Sequence, residues 1–172
     1  MTKNSVLSKL NDASPDEAFA AFQRCCGATR WATAMARARP FQSREELFEC
    51  ADVEWIKMKR ADILEAFSHH PRIGDVKSLE EKFASTAQWA KGEQGDAVSD
   101  APHETIHMLA ACNEEYFEKF GYIFIVCATG KSADAMLSYL LSRLPNDSKK
   151  ELRIAAGEQA KITRLRLEKL LA

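Results

Sequence analysis

No stretch of this 172-residue chain stays apolar for the roughly 20 residues that a bilayer-crossing helix needs. The amino terminus, MTKNSVLSKLNDASPDEAF, has no apolar run leading to a cleavage site, and the carboxyl terminus, EKLLA, is neither a prenylation box nor a peroxisomal address. These absences predict a cytoplasmic protein that is neither secreted nor inserted in a membrane. Glycine and proline are scarce, at seven and five residues, which removes fibrous and low-complexity classes. An excess of either charge is missing too. Twenty-four basic and 25 acidic side chains leave a formal net charge of -1, and no basic block is long enough to track a phosphate backbone, so nucleic acid is not an expected partner. The five cysteines (Cys25, Cys26, Cys50, Cys112, Cys127) are odd in number and lack CxxC spacing. They read as reduced thiols that pack among apolar neighbours, not as disulfides or nucleophiles.

What is present is helix punctuation. The sequence SPDEAFAAFQRCCG offers Ser14 as an N-cap, Pro15 at the first helical position, Glu17 to complete a capping box and Gly27 as a stop, with Phe19 and Phe22 facing inward. Ser43 and Glu46 repeat the pattern, and RADILEAF carries Ile63, Leu64 and Phe67 at helical spacing until Pro71 ends it. Further helices are predicted in SLEEKFASTAQWA, in HETIHMLAACNEEYFEKF up to Gly121, in SADAMLSYLLSRL and along the carboxyl-terminal SKKELRIAAGEQAKITRLRLEKLL; KGEQGDAVSDAP reads as a loop. Only YIFIVCATG, apolar and β-branched, fits a buried extended segment as well as a helix. With no repeat or linker, and 46% hydrophobic residues to fill a core, the expectation is an all-α, compact multi-helix fold in a single domain over residues 1–172.

Three patterns invite a chemical reading. HETIH, His103 to His107, matches the HExxH of zinc hydrolases, but the extended form needs glycine and histidine where Ala110 and Asn113 stand, so two exposed polar residues early in a helix are the better reading. GKS at Gly130 to Ser132 resembles the end of a phosphate loop but lacks the earlier glycine, since that position is Ile125; Ser132 reads instead as an N-cap. SHHPRIGD, Ser68 to Asp75, is different. A residue before proline is pushed out of the helical region, so His70 projects at a helix end, a suitable post for an acid or base. On the last helix, at about 100° per residue, Leu152, Ala155, Ala156, Gln159, Ile162, Thr163, Arg166 and Leu170 share one face. Arg166 therefore turns inward and needs an anion, from either an internal carboxylate or a ligand, because an unpaired buried charge costs several kcal/mol.

Taken together, CGATRWATAMARARPF, HHPRIGD, GEQG, NEEYFEKFGYIFIVCATGK, LLSRLPN and EQAKITRLRLEKLL, in this order, resemble the 2-oxo-4-hydroxy-4-carboxy-5-ureidoimidazoline (OHCU) decarboxylase family of urate breakdown. The resemblance spans nearly the whole chain. It implies an all-helical carboxy-lyase, usually a homodimer, that needs no cofactor or metal and converts OHCU to (S)-allantoin with loss of carbon dioxide. It further implies His70 and Glu93 as catalytic residues. For substrate binding it implies Pro71, Gln94, Ile123, Phe124, Ile125 and Arg166. Ala90 stands where the family motif has serine, with Ser85 upstream, and Thr129 where many relatives carry arginine. In this reading His70 moves a proton at the substrate's 4-hydroxyl or nascent carbanion, Glu93 orients ring or ureido N–H groups, and Arg166 holds a substrate oxygen. Two readings from other classes stand against it: a zinc-dependent hydrolase built on HETIH, and a helical interaction module without catalysis.

Overall fold

The computed structural model describes residues 3–72, 74–81, 83 and 101–172. Among them every regular element is an α-helix, as predicted: α1 (Lys3–Asp12), α2 (Pro15–Cys25), α3 (Thr29–Arg37), α4 (Arg44–Ile56), α5 (Arg60–Ser68), α6 (Ala101–Phe120), α7 (Ala133–Arg143) and α8 (Ser148–Leu170). A shorter helical stretch covers residues 76–81. The contacts divide the chain into two compact units, Met1–His70 with Ile154–Ala172, and Pro71–Arg153.

In the first unit the capping residues do what their spacing predicts. Ser14 Oγ accepts the Glu17 N–H at 3.3 Å, while the Glu17 carboxylate accepts the Ser14 N–H at 2.9 Å. Ser43 caps α4 through the Glu46 N–H at 3.1 Å. Caps of this kind contribute about 1 kcal/mol each. Gly27 is not the stop that its position suggests. The extended backbone of Cys26 ends α2, with φ -144° and ψ 122°, and Gly27 serves instead as a place of close approach for His69.

The core of this unit gathers Phe22, Trp31, Met35, Leu47, Leu167 and Leu171, all buried. Phe22 meets Trp31 edge-on at 6.2 Å and Phe41 at 6.3 Å, and the Trp31 indole donates to the Ala51 carbonyl at 3.0 Å. Arg39 of the RARPF motif donates to the Leu10 and Ala13 carbonyls, each at 2.7 Å, closing the carboxyl end of α1. On α8 the fully buried row is Ala155, Gln159, Thr163, Leu167 and, just past the helix, Leu171. Ile162, Arg166 and Leu170 are half-buried beside it. The inward face is thus displaced slightly from the one the helical wheel predicts, and Arg166 lies at its edge.

The second unit packs Leu109, Tyr116, Phe120, Tyr122 and Leu140. Helix α6 starts before HETIH, at Ala101, with Pro102 in its first turn, where a missing N–H costs nothing. It ends as predicted at Gly121, whose φ of +78° suits glycine and whose N–H bonds the Phe117 carbonyl at 2.8 Å. Residues 123–128 are neither helix nor strand, which resolves the ambiguity of YIFIVCATG. A second positive φ, +72° at Gly130, leads into Ser132, which caps α7 through the Ala135 N–H at 3.2 Å. The predicted helix in SLEEKFASTAQWA is described only as far as residue 83; of the predicted loop KGEQGDAVSDAP, residues 91–100 lie outside the described residues, while Ala101 and Pro102 are already helical, contrary to the prediction.

Candidate active site

The position of His70 follows from how α5 is held. The N-cap of helix α3 is Ala28, which has no capping side chain of its own. The Glu65 carboxylate supplies the cap across the unit, accepting the Thr29 N–H at 3.0 Å and the Thr29 hydroxyl at 2.6 Å. Arg30 reaches Asp62 at 3.5 Å. These bonds tie α5 to the start of α3. Helix α5 then stops at Ser68, with His69 as C-cap and the His70 N–H bonded to the Phe67 carbonyl at 3.1 Å. The His69 side chain packs close to Gly27: a Cβ added there would sit 2.3 Å from His69 Cγ and 2.5 Å from its Cβ.

The His70 ring is half-buried, and its Nε2 lies 2.6 Å from Gln159 Oε1. Gln159 is fully buried, and its amide nitrogen donates to the Thr163 hydroxyl at 3.2 Å. Burial pushes the His70 pKa below the usual imidazole value; the Gln159 bond opposes this, while the positive charge of Arg166 and neighbouring His69 reinforce it. The imidazole is accordingly neutral at pH 7. Arg166 is half-buried and, among the described residues, makes no hydrogen bond or ion pair. Burial raises the Cys25 pKa to about 11 and raises that of Cys26 as well, so both remain thiols, in keeping with a packing role.

The second unit explains the rest of SHHPRIGD. Pro71 is exposed. Arg72 pairs with Glu114 at 2.6 Å and stacks over Phe117 at 4.3 Å. Asp75 caps residues 76–81 by accepting the Ser78 N–H at 3.0 Å and the Ser78 hydroxyl at 2.6 Å. Residues Ile123 to Ile125 are fixed by Arg143, which donates to the Ile125 carbonyl at 2.6 Å and lies 4.6 Å over the Phe124 ring. Arg143 is itself buried against the fully buried Glu151, with Nε to Oε1 at 2.7 Å. The same carboxylate accepts the Tyr116 hydroxyl at 2.5 Å and the Asn146 amide at 2.9 Å, so both of its oxygens are satisfied. In HETIH, His103 is exposed and 3.3 Å from Glu80, and His107 is exposed. Among the described residues no three metal-ligating side chains converge.

The family model for OHCU decarboxylase matches residues 11–168. The chain belongs to the OHCU decarboxylase family. Within that family it is 38% identical over 150 residues to the uric acid degradation bifunctional protein TTL of Arabidopsis thaliana, covering 86% of this chain but only 45% of that protein. It is 29% identical to the 2-oxo-4-hydroxy-4-carboxy-5-ureidoimidazoline decarboxylase of Haloferax volcanii, over 94% of both chains. A crystal structure of OHCU decarboxylase in the presence of (S)-allantoin is similar at a TM-score of 0.70 and 33% identity, covering 92% of this chain and 99% of that one.

In this OHCU decarboxylase family member the first unit brings together two of the residues singled out from sequence, His70 and Arg166, whose charge acts on the imidazole. Pro71, Ile123, Phe124 and Ile125 belong to the second unit. Glu93 and Gln94, together with Ala90 and Ser85, lie outside the described residues. Sequence reasoning missed Gln159 as a partner of His70. The signal available was its place on the same predicted inward face as Arg166. It also missed Arg143 and Glu151, which no local pattern singles out.

Proposed function

We propose that this chain decarboxylates OHCU to (S)-allantoin in urate breakdown, with His70 as the group that moves the proton. One observation carries the reading: a neutral, half-buried imidazole held at a helix end, in the field of a cation, Arg166, that has no partner among the described residues. A cation without a partner among the described residues, beside a base, is suited to an anionic substrate. The internal carboxylate that would make Arg166 merely structural is not found among those residues.

The chemistry needs little more. The bond to the substrate carboxylate breaks, carbon dioxide leaves, and the electron pair enters the ring's own conjugated C=N bond, so no separate electron sink is required. The 4-hydroxyl becomes a carbonyl by giving up its proton to His70. One proton is returned to the neighbouring carbon, and one from solvent reaches the ring nitrogen. Arg166 holds the anionic or carbonyl oxygen through its planar fork. Glu93 orients ring or ureido N–H groups, Gln94 and Pro71 add contacts, and the backbone of Ile123 to Ile125 meets the ring. Return of the proton to one face makes the product a single enantiomer.

The proposal includes one domain over residues 1–172, supported by a family match at 11–168 that spans both units. It also includes a homodimer and a cytoplasmic location. Purified chain supplied with freshly generated OHCU should release (S)-allantoin, followed by circular dichroism, at a rate unchanged by excess chelator. Activity lost with metal removal would favour the zinc hydrolase instead, and no turnover at all would favour an interaction module.

A further inference from the structure

We infer that Gln159 is a positioning residue that fixes the tautomer of His70: its amide oxygen accepts the Nε2 proton, so that Nδ1 carries the lone pair offered to substrate. This rests on the reading of His70 as the acid/base.

The geometry begins with three linked side chains, the half-buried His70 and the buried Gln159 and Thr163. Nε2 of His70 lies 2.6 Å from Gln159 Oε1, and Gln159 Nε2 lies 3.2 Å from Thr163 Oγ1. A primary amide has one accepting and one donating end, so the next link decides which end faces the imidazole. The Thr163 hydroxyl has a single proton. On a helix a threonine proton is commonly taken by the carbonyl one turn back. The Thr163 oxygen is then left to accept the Gln159 N–H, the direction that the 3.2 Å contact has. The amide oxygen must then face His70, and only a protonated Nε2 satisfies it. The flipped amide would require Thr163 to turn its proton toward Gln159, inside a site where Gln159 and Thr163 are buried and lost bonds are not replaced by water.

A neutral imidazole has one N–H and one lone pair, so committing Nε2 commits Nδ1 to the opposite role. The groups that act on the ring maintain neutrality. Arg166 on α8 and His69 beside it both disfavour a second proton. Glu65, one turn back on α5, has its carboxylate engaged by Thr29. The Cys26 thiol, raised in pKa by burial, carries no charge at pH 7. Among the described residues no carboxylate competes with Gln159 for Nε2. A neutral acceptor orients the ring without holding it as imidazolium, which is what a base that must first take a proton requires.

The test reads His70 directly in the full chain. Nitrogen-15 long-range correlation spectra, with His70 assigned by its absence in His70→Asn, should show the Nε2–H tautomer. Replacing Gln159 with a carboxylate, Gln159→Glu, should raise the His70 pKa and move the acid limb of the kcat/KM profile to higher pH by about 1 unit or more. Gln159→Leu should let both tautomers form and lower kcat by about 10- to 100-fold with little change in KM, a loss that a purely structural residue would spread over stability instead. An Nδ1–H tautomer in the wild type overturns the inference, and so does an acid limb that stays in place in a folded Gln159→Glu. If that variant does not fold, the wild-type spectrum alone decides. Retained turnover in His70→Asn would sink the acid/base reading and leave the tautomer to be judged by its spectrum; an inactive His70→Asn together with an Nδ1–H tautomer would sink the inference alone.

Discussion

Adding one methyl group at Gly27 should disable the site without touching any residue that meets substrate. In Gly27→Ala the new Cβ would lie 2.3, 2.5 and 2.7 Å from Cγ, Cβ and Cδ2 of His69. Carbon atoms rest at about 3.5–4.0 Å, so the near end of His69 must retreat by about 1 Å. Rotating the ring does not help, because the His69 Cβ itself is among the clashing atoms. The backbone must move, and the next residue is His70. Overpacking of this kind costs about 1–3 kcal/mol, whereas a shift of about 1 Å in a reacting group can lower a rate by about 100-fold. The expected signature is therefore a modest fall in Tm with a much larger fall in kcat/KM for OHCU. His69→Ala in the same chain keeps the Cβ and should not restore activity; His69→Gly removes all three atoms and should restore it in part. A Gly27→Ala protein with normal kcat/KM would refute the reasoning, since His69 would then have moved without carrying His70.

The depressed pKa of His70 also links it to stability. Because the folded value lies below the unfolded one of about 6.5, its contribution is fully present above about pH 6.5 and is lost as pH falls through the folded value. Urea unfolding across acidic pH should show a dependence that is weaker in His70→Ala. Glu151→Gln strips the charge from a fully buried partner of Arg143 and should destabilise the protein by about 3–5 kcal/mol in chemical denaturation, loosening Ile123 to Ile125 as it does so. Arg166→Lys should weaken (S)-allantoin binding in calorimetry while leaving Tm nearly unchanged, because lysine cannot reproduce the two-pronged geometry. A lowered Tm with normal affinity would make Arg166 a structural cation.

What the sequence disclosed and what it concealed divide along physical lines. The place of His70 past a helix end was legible because a histidine before a proline must leave its helix, a restriction local to two residues. Arg166 was legible because helical periodicity places it on an inward face, although the true buried row, Ala155 to Leu171, passes one position away. Gln159 was on the same wheel and went unnoticed, since its importance comes from a partner 89 residues distant. Glu65 acting as the cap of α3, from 36 residues away, is another bond between elements that no local pattern announces. Gly27 looked like a helix stop because glycine commonly is one; its use as a contact surface depends on where α5 ends. Arg143 and Glu151 carry no local signal in the sequence, and only tertiary packing reveals that each is the reason the other can be buried.

The most direct measurement of the central claim is turnover of freshly generated OHCU by His70→Ala beside His69→Ala, with Tm recorded on the same preparations. His70→Ala should fold and lose turnover by about 100-fold or more, the range in which a lost acid/base acts, while His69→Ala keeps most of its activity. A folded His70→Ala that still forms (S)-allantoin at the wild-type rate would contradict that claim.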